Sequence, residues 1–284
     1  GKKVGAPVGP FYRKIIKDNL LGNFNNLVKD VITSSAMMRY LDNVDSVGPN
    51  SKRAKTHSYE KLGLNENLGR ELLELYTISP SAGYSQEDVV NTALILTGWG
   101  GDRNWAKINS KGLGDQYAPI VFRNDAHEGG KQKVLGRVYS GGKEKLFNLI
   151  DTLCETDHCA EFISRKLAIH FISDNPPNES VEHIKSSYKS SNGNLLKIHQ
   201  ATLEAVWKYA EPNQKIAWPE IWLIQAMKTL NFRAYPLDPK NGADQPMDYK
   251  KYSMILDKLG NNPFEHGQPN GYSSLSNDWI SPEL

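Results

Sequence analysis

Residues 65–77 read Asn65-Glu66-Asn67-Leu68-Gly69-Arg70-Glu71-Leu72-Leu73-Glu74-Leu75-Tyr76-Thr77. At about 100° per residue, Glu66, Asn67, Arg70, Glu71 and Glu74 fall within an arc of about 140°, while Leu68, Leu72 and Leu75 cluster on the other side. The spacing predicts an amphipathic helix over 65–77, ended by Ser79-Pro80-Ser81-Ala82-Gly83. Ser85 with Asp88 three residues on is close to a capping box and opens the next helix, striped by Val89, Ala93 and Leu96 and stopped at Gly98.

Outward from that pair, helical periodicity recurs almost everywhere. Phe24, Leu27, Val28, Val31 and Ile32 form one helix face, with Asn23 as its expected cap. Residues 42–64 are polar and read as a long loop. Further helices are expected at 143–155, 157–172, 179–190, 194–210, 219–230 and 249–259, with Pro219 at a first helical position and Gly260 at a C-terminal cap. Residues 100–140 differ: a Gly-rich stretch is followed by extended patterning at 117–123 and 133–139, which Glu128-Gly129-Gly130-Lys131 is expected to join as a hairpin. Residues 261–284 read as an irregular tail. The fold expected is all-α, one multi-helix globular domain over 1–284 with a small β-hairpin insertion.

With 39% hydrophobic and 10% aromatic residues among 284, the chain can bury a core, which excludes a disordered tail or a coiled-coil rod. Lys and Arg number 34 against 32 Asp and Glu, a net charge of +2, so no nucleic-acid partner is expected. No apolar run approaches the roughly 20 residues that span a bilayer. Cys154 and Cys159 point to different sides of a continuous helix, so a disulfide needs a break there, and the redox compartment stays open. The chain opens Gly1-Lys2-Lys3, without Met or an apolar leader, as expected where a leader has been removed or where a longer polypeptide continues.

Chemistry concentrates on the 65–77 helix. One reading of its polar face is solvated, with Glu66–Arg70 and Arg70–Glu74 as exposed i,i+4 pairs. The other places that face in a cleft, where Arg70 orients Glu66 or Glu74 for acid–base work or metal binding, with Asn65, Asn67 and Glu71 in binding roles. His127, flanked by Asp125 and Glu128 and by glycines, suits a general base, a metal ligand, or an ordinary turn histidine. No pair of histidines stands at i,i+4, which excludes a helix-borne zinc motif. Gly141-Gly142-Lys143 before a helix lacks the rest of a phosphate loop and reads as a helix start. Arg165 and Lys166, in a helix with apolar neighbours, read by default as a solvated basic edge, the alternative being an Arg that reaches the Glu66–Glu74 face. Among the tryptophans, Trp218 and Trp222 share a helical face and are expected in the core, leaving Trp99 and Trp105 as candidate sugar platforms.

Taken together these motifs resemble a bacterial family, domain of unknown function 1800. The 65–77 helix, Gly83-Tyr84 before Glu87-Asp88-Val89, Leu96-Thr97-Gly98-Trp99, His127-Glu128-Gly129 and Phe162-Ile163-Ser164-Arg165-Lys166-Leu167 carry the resemblance in order along the chain. It carries over no established activity and leaves cofactor and metal open. It does imply an exported protein, periplasmic or extracellular, and a member whose N-terminal helical region, with a Trp-His pair, precedes residue 1. The 43–64 loop is longer and more basic than usual, and Gly271-Tyr272 stands where Gly-Trp is common. Two functions are expected on this footing: a hydrolase-like enzyme acting on an extracellular polymer through Glu66, Glu74, Arg70 and His127, or a non-catalytic envelope module binding a polysaccharide or another envelope component.

Overall fold

A computed structural model of the chain describes residues 5–56, 63–104, 118–231, 247–262, 266 and 268–279. The described residues are mostly helical, with two small two-stranded antiparallel sheets. They form two compact units: 1–165 with 181–204, and 166–180 with 205–284.

In the first unit, the signature helix runs Asn67–Glu74, shorter than expected at both ends. Asn65 Oδ1 accepts the Asn67 N–H at 2.9 Å, so Asn65 folds into the turn that starts the helix. At the far end the Ile78 and Ser79 N–H groups both donate to the Leu73 carbonyl, closing the helix early. Leu68, Leu72 and Leu73 are fully buried. Gly69 sits where this helix crosses the Gln86–Leu96 helix: a Cβ there would lie 2.9 Å from the Ala93 backbone nitrogen. The Ser85–Asp88 capping box forms in both directions, and Asp88 also accepts the Leu135 N–H at 2.7 Å.

Asn23 caps nothing. Its backbone is extended as expected of a cap, but its side chain donates to the Asn192 carbonyl at 3.2 Å. The Phe24–Ile32 helix is instead anchored by backbone pairing, Phe24 N–H to Gly193 O and Leu195 N–H to Gly22 O, both 2.8 Å. A partner about 170 residues away satisfies the free N–H, which local sequence does not reveal.

The β segments pair differently from the expected hairpin. β1 (Trp99–Gly101) pairs with β2 (Ile120–Phe122), Trp99 opposite Phe122. β3 (Gln132–Val134) pairs with β4 (Arg137–Tyr139), so 133–139 is not one strand but a hairpin turning at Leu135 and Gly136, both at positive φ. The Asp88 carboxylate bound to the Leu135 N–H helps hold a leucine in a backbone conformation that glycine usually takes. Residues 42–64, read as a loop, contain a 3-10 turn at Asn43–Asp45 and a short helix at Lys52–Thr56.

Helices follow at Glu144–Cys154, Asp157–Phe171, Asn178–Ser190 and Leu195–Tyr209. The break at 155–156 lets both buried cysteines approach Tyr188, whose hydroxyl donates to the Cys154 carbonyl at 2.9 Å and lies 3.5 Å from Cys159 Sγ; the thiols are free.

The second unit includes the Pro219–Thr229 and Met247–Lys258 helices. Asp174 ties its tail, pairing with Lys215 at 2.6 Å and accepting the Ser276 N–H at 2.7 Å. Trp222, expected in the core, is 55% exposed; Leu223 alone on that helix is buried, because apolar residues ring the helix and only one side packs. No described helix is long and apolar enough to cross a membrane.

Candidate functional site

The polar face of the Asn67–Glu74 helix is half-buried rather than sealed. Arg70 donates to Glu66 at 3.4 Å and to Gln86 Oε1 at 2.9 Å, and the Gln86 amide donates to Glu66 at 2.7 Å. The Arg70 and Glu66 side chains are 40% and 36% exposed. A pair this long and this wet contributes little, so Arg70→Ala is expected to cost under about 1 kcal/mol in urea unfolding. A loss of about 3–5 kcal/mol would instead mark a buried charge network.

Glu71 and Glu74 are different. Tyr84 donates to Glu74 Oε2 at 3.2 Å, and burial together with Glu74 pushes the Tyr84 hydroxyl up to about 12. One oxygen of Glu71, Oε2, is buried and has no hydrogen-bond partner. Burial raises the Glu71 carboxyl above its ordinary value of 4.5 and the charge on Glu74 raises it further, while Arg70 opposes them. The same helix turn thus holds two carboxylates in unlike environments. Asn65 and Asn67 serve the helix start, Asn67 pointing to solvent.

His127 occupies a separate network. Its Nδ1–H donates to the Thr97 carbonyl at 2.8 Å, which leaves Nε2 with the lone pair; that atom is buried without a partner. Burial lowers the imidazole's pKa, so His127 is neutral at neutral pH. The Glu128 carboxylate accepts the Asn50 backbone and side-chain N–H groups at 2.8 and 2.9 Å. Lys145, fully buried, donates to Glu128 O at 3.0 Å, Gly130 O at 3.3 Å and Gln132 Oε1 at 2.5 Å. Lys145 was not singled out by sequence, because a lysine inside an amphipathic helix reads as solvated; its companions lie 13 to 17 residues upstream.

Among the described residues no hydrogen bond, ion pair or ring contact joins His127 to Glu66, Arg70, Glu71 or Glu74. The charges acting on its imidazole are those of Lys145 and Glu128. Arg165 is committed to Glu161 on its own helix at 2.7 and 3.0 Å, not to the carboxylate face, and Lys166 is exposed beside it. Trp99 is 8% exposed, edge-on to Phe122 and Phe147 at 5.4 and 5.5 Å, and its buried Nε1–H has no acceptor. Leaving such a group unmet costs about 1–3 kcal/mol. Trp105 lies outside the described residues. No group of three or more metal-binding side chains occurs among the described residues.

No curated protein and no solved structure matches the chain. One family model, described as protein of unknown function (DUF1800), matches residues 1–284, and the chain belongs to that family.

Proposed function

We propose that this protein is a hydrolase-like acid–base enzyme acting on an extracellular polymer, with Glu71 as the proton donor and Glu74, which accepts a hydrogen bond from Tyr84, as its proton-accepting partner. The observation that carries the reading is the buried, unpartnered Oε2 of Glu71 beside a second carboxylate. A carboxyl whose surroundings raise its affinity for the proton suits a general acid, and a neighbouring carboxylate can then serve as the base. Glu71, holding its proton to higher pH, protonates a departing oxygen. Glu74, kept as an acceptor by the Tyr84 hydroxyl, withdraws the proton from an attacking water. Arg70, with Gln86 and Glu66, forms the polar rim that a substrate meets first. His127 stands outside this proton path. The setting proposed is periplasmic or extracellular, in a bacterium, and the polymer a polysaccharide.

The test is release of reducing ends from purified cell-wall glycan and from soluble polysaccharides. Wild type should release them, and Glu71→Gln should lower the rate by about 100-fold or more, the usual worth of a general acid. Equal release by wild type and Glu71→Gln, or none from any polymer, would reject the assignment.

A second reading, a non-catalytic envelope-binding module, draws on the apolar residues exposed along the Pro219–Thr229 helix: Ile221, Trp222 and Ile224, with Leu230 beyond its end at 79% exposure. Exposed apolar patches commonly mark interaction surfaces. Cosedimentation with cell-wall glycan, undiminished in Glu71→Gln and without product, would favour it.

A further inference from the structure

The two cysteines stand on either side of a helix break. Cys154 is the last residue of the Glu144–Cys154 helix, and Cys159 lies in the first turn of Asp157–Phe171. On a continuous helix, residues five apart point about 140° away from each other, and their thiols do not meet. Here Glu155 and Thr156 interrupt the helix. The Thr156 hydroxyl then ties the two ends together, donating to the Leu153 carbonyl at 2.7 Å and accepting the Cys159 N–H at 3.1 Å. One small side chain draws the residue before Cys154 towards Cys159. We infer that Cys154 and Cys159 are a modification site, which closes as an intramolecular disulfide when the chain folds in the presence of an external disulfide.

Two further observations bring the side chains together. The Tyr188 hydroxyl donates to the Cys154 carbonyl at 2.9 Å and stands 3.5 Å from Cys159 Sγ, so both cysteines gather on one oxygen. Hydrogen bonding between the two thiols raises Cys154 above the ordinary thiol value and lowers Cys159 below it. Cys154, Cys159 and Tyr188 are almost wholly buried. No third metal-binding side chain groups with the two sulfurs among the described residues, which leaves pairing with each other as the chemistry open to them.

The step is thiol–disulfide exchange. One cysteine thiolate attacks a sulfur of the external disulfide, expels one thiol and leaves a mixed disulfide. The other thiolate attacks the protein sulfur of that bond and expels the second thiol. The protein gives up two electrons and two protons, and the external disulfide takes them as two thiols. Both sulfurs are buried in the folded chain, so the exchange takes place before the helices close. The finished bond then lies out of reach of reductants.

The experiment is refolding of the reduced, unfolded full chain in a mixture of oxidised and reduced glutathione, followed by alkylation in denaturant and intact-mass measurement. The chain has two cysteines and no more, so the product is unambiguous. A monomer is expected that takes up no alkylating group and is lighter than the reduced chain by two hydrogens. It should melt no lower than the chain refolded in reductant, because the bond follows the native approach of the two residues. Glu71→Gln should oxidise like wild type, which keeps this result separate from the acid–base reading. Two alkylated thiols, unresolved glutathione adducts or sulfur-linked dimers would overturn the inference. So would an oxidised monomer that melts below the reduced chain or lacks its helical circular dichroism, since that bond would not belong to this fold.

Discussion

Lys145→Ala is expected to destabilise the chain by about 3–5 kcal/mol, since each buried acceptor left without its donor costs about 1–3 kcal/mol. The lysine is wholly buried and its ammonium is divided among the Glu128 and Gly130 carbonyls and the Gln132 amide oxygen. Removing it leaves all three acceptors unmet and opens a void at the base of the helix. Lys145→Met fills most of the void but restores none of the hydrogen bonds, so it should recover only part of the loss. Chemical denaturation of the three proteins checks this. A Lys145→Ala loss under about 1 kcal/mol would mean that the ammonium behaves as a surface charge.

Gly48→Ala should be the most damaging single-methyl addition, costing about 3 kcal/mol or more, the upper range for overpacking. A Cβ there would lie 2.7 Å from both the backbone nitrogen and Cα of Glu128, and 2.6 Å from its Oε2. Backbone atoms do not step aside as a flexible side chain does. The segment is held on that spot by the Gly48 N–H to Ala126 O hydrogen bond at 2.9 Å and by the two Asn50 bonds to the Glu128 carboxylate. Gly129→Ala is the matched control, since nothing lies within 4 Å of its Cβ position. Equal melting temperatures for the two variants would contradict the close approach.

Much of the helical frame was legible because it depends on neighbours three and four residues apart. The Leu68–Leu72 stripe packs where its spacing puts it, and the Ser85–Asp88 box forms with both of its bonds. What escaped was set by distant partners. Asn23 spends its amide on Asn192 rather than on its own helix. β2 finds β1 instead of the nearer segment at 132–139. Gly48 read only as a loop marker, yet its missing side chain lets two segments about 80 residues apart touch. At the candidate site, the residue types on the 65–77 helix were evident, but their division of labour was not. Periodicity placed Glu66, Glu71 and Glu74 on one face, and only the burial of Glu71 Oε2 distinguishes it from the solvated Glu66. The exposure of Arg70 likewise moves the acid–base reading from a sealed ion pair to the Glu71–Glu74 pair.

Glu71 also ties stability to pH. A carboxyl whose affinity for its proton is higher in the folded chain than in the unfolded one binds more protons when folded across the interval between the two values. Stability therefore falls as pH rises from the ordinary glutamate value of 4.5 through the folded one. In Glu71→Gln that component of the slope should vanish, and the variant should gain on wild type towards neutral pH.

The most direct measurement is a carboxyl-detected NMR titration of the full chain, with Glu71→Gln used to assign the resonance. Glu71 is expected to titrate above its ordinary value of 4.5. A midpoint at or below 4.5 would show that Glu71 is ionised like a surface glutamate, and the acid–base site would go with it.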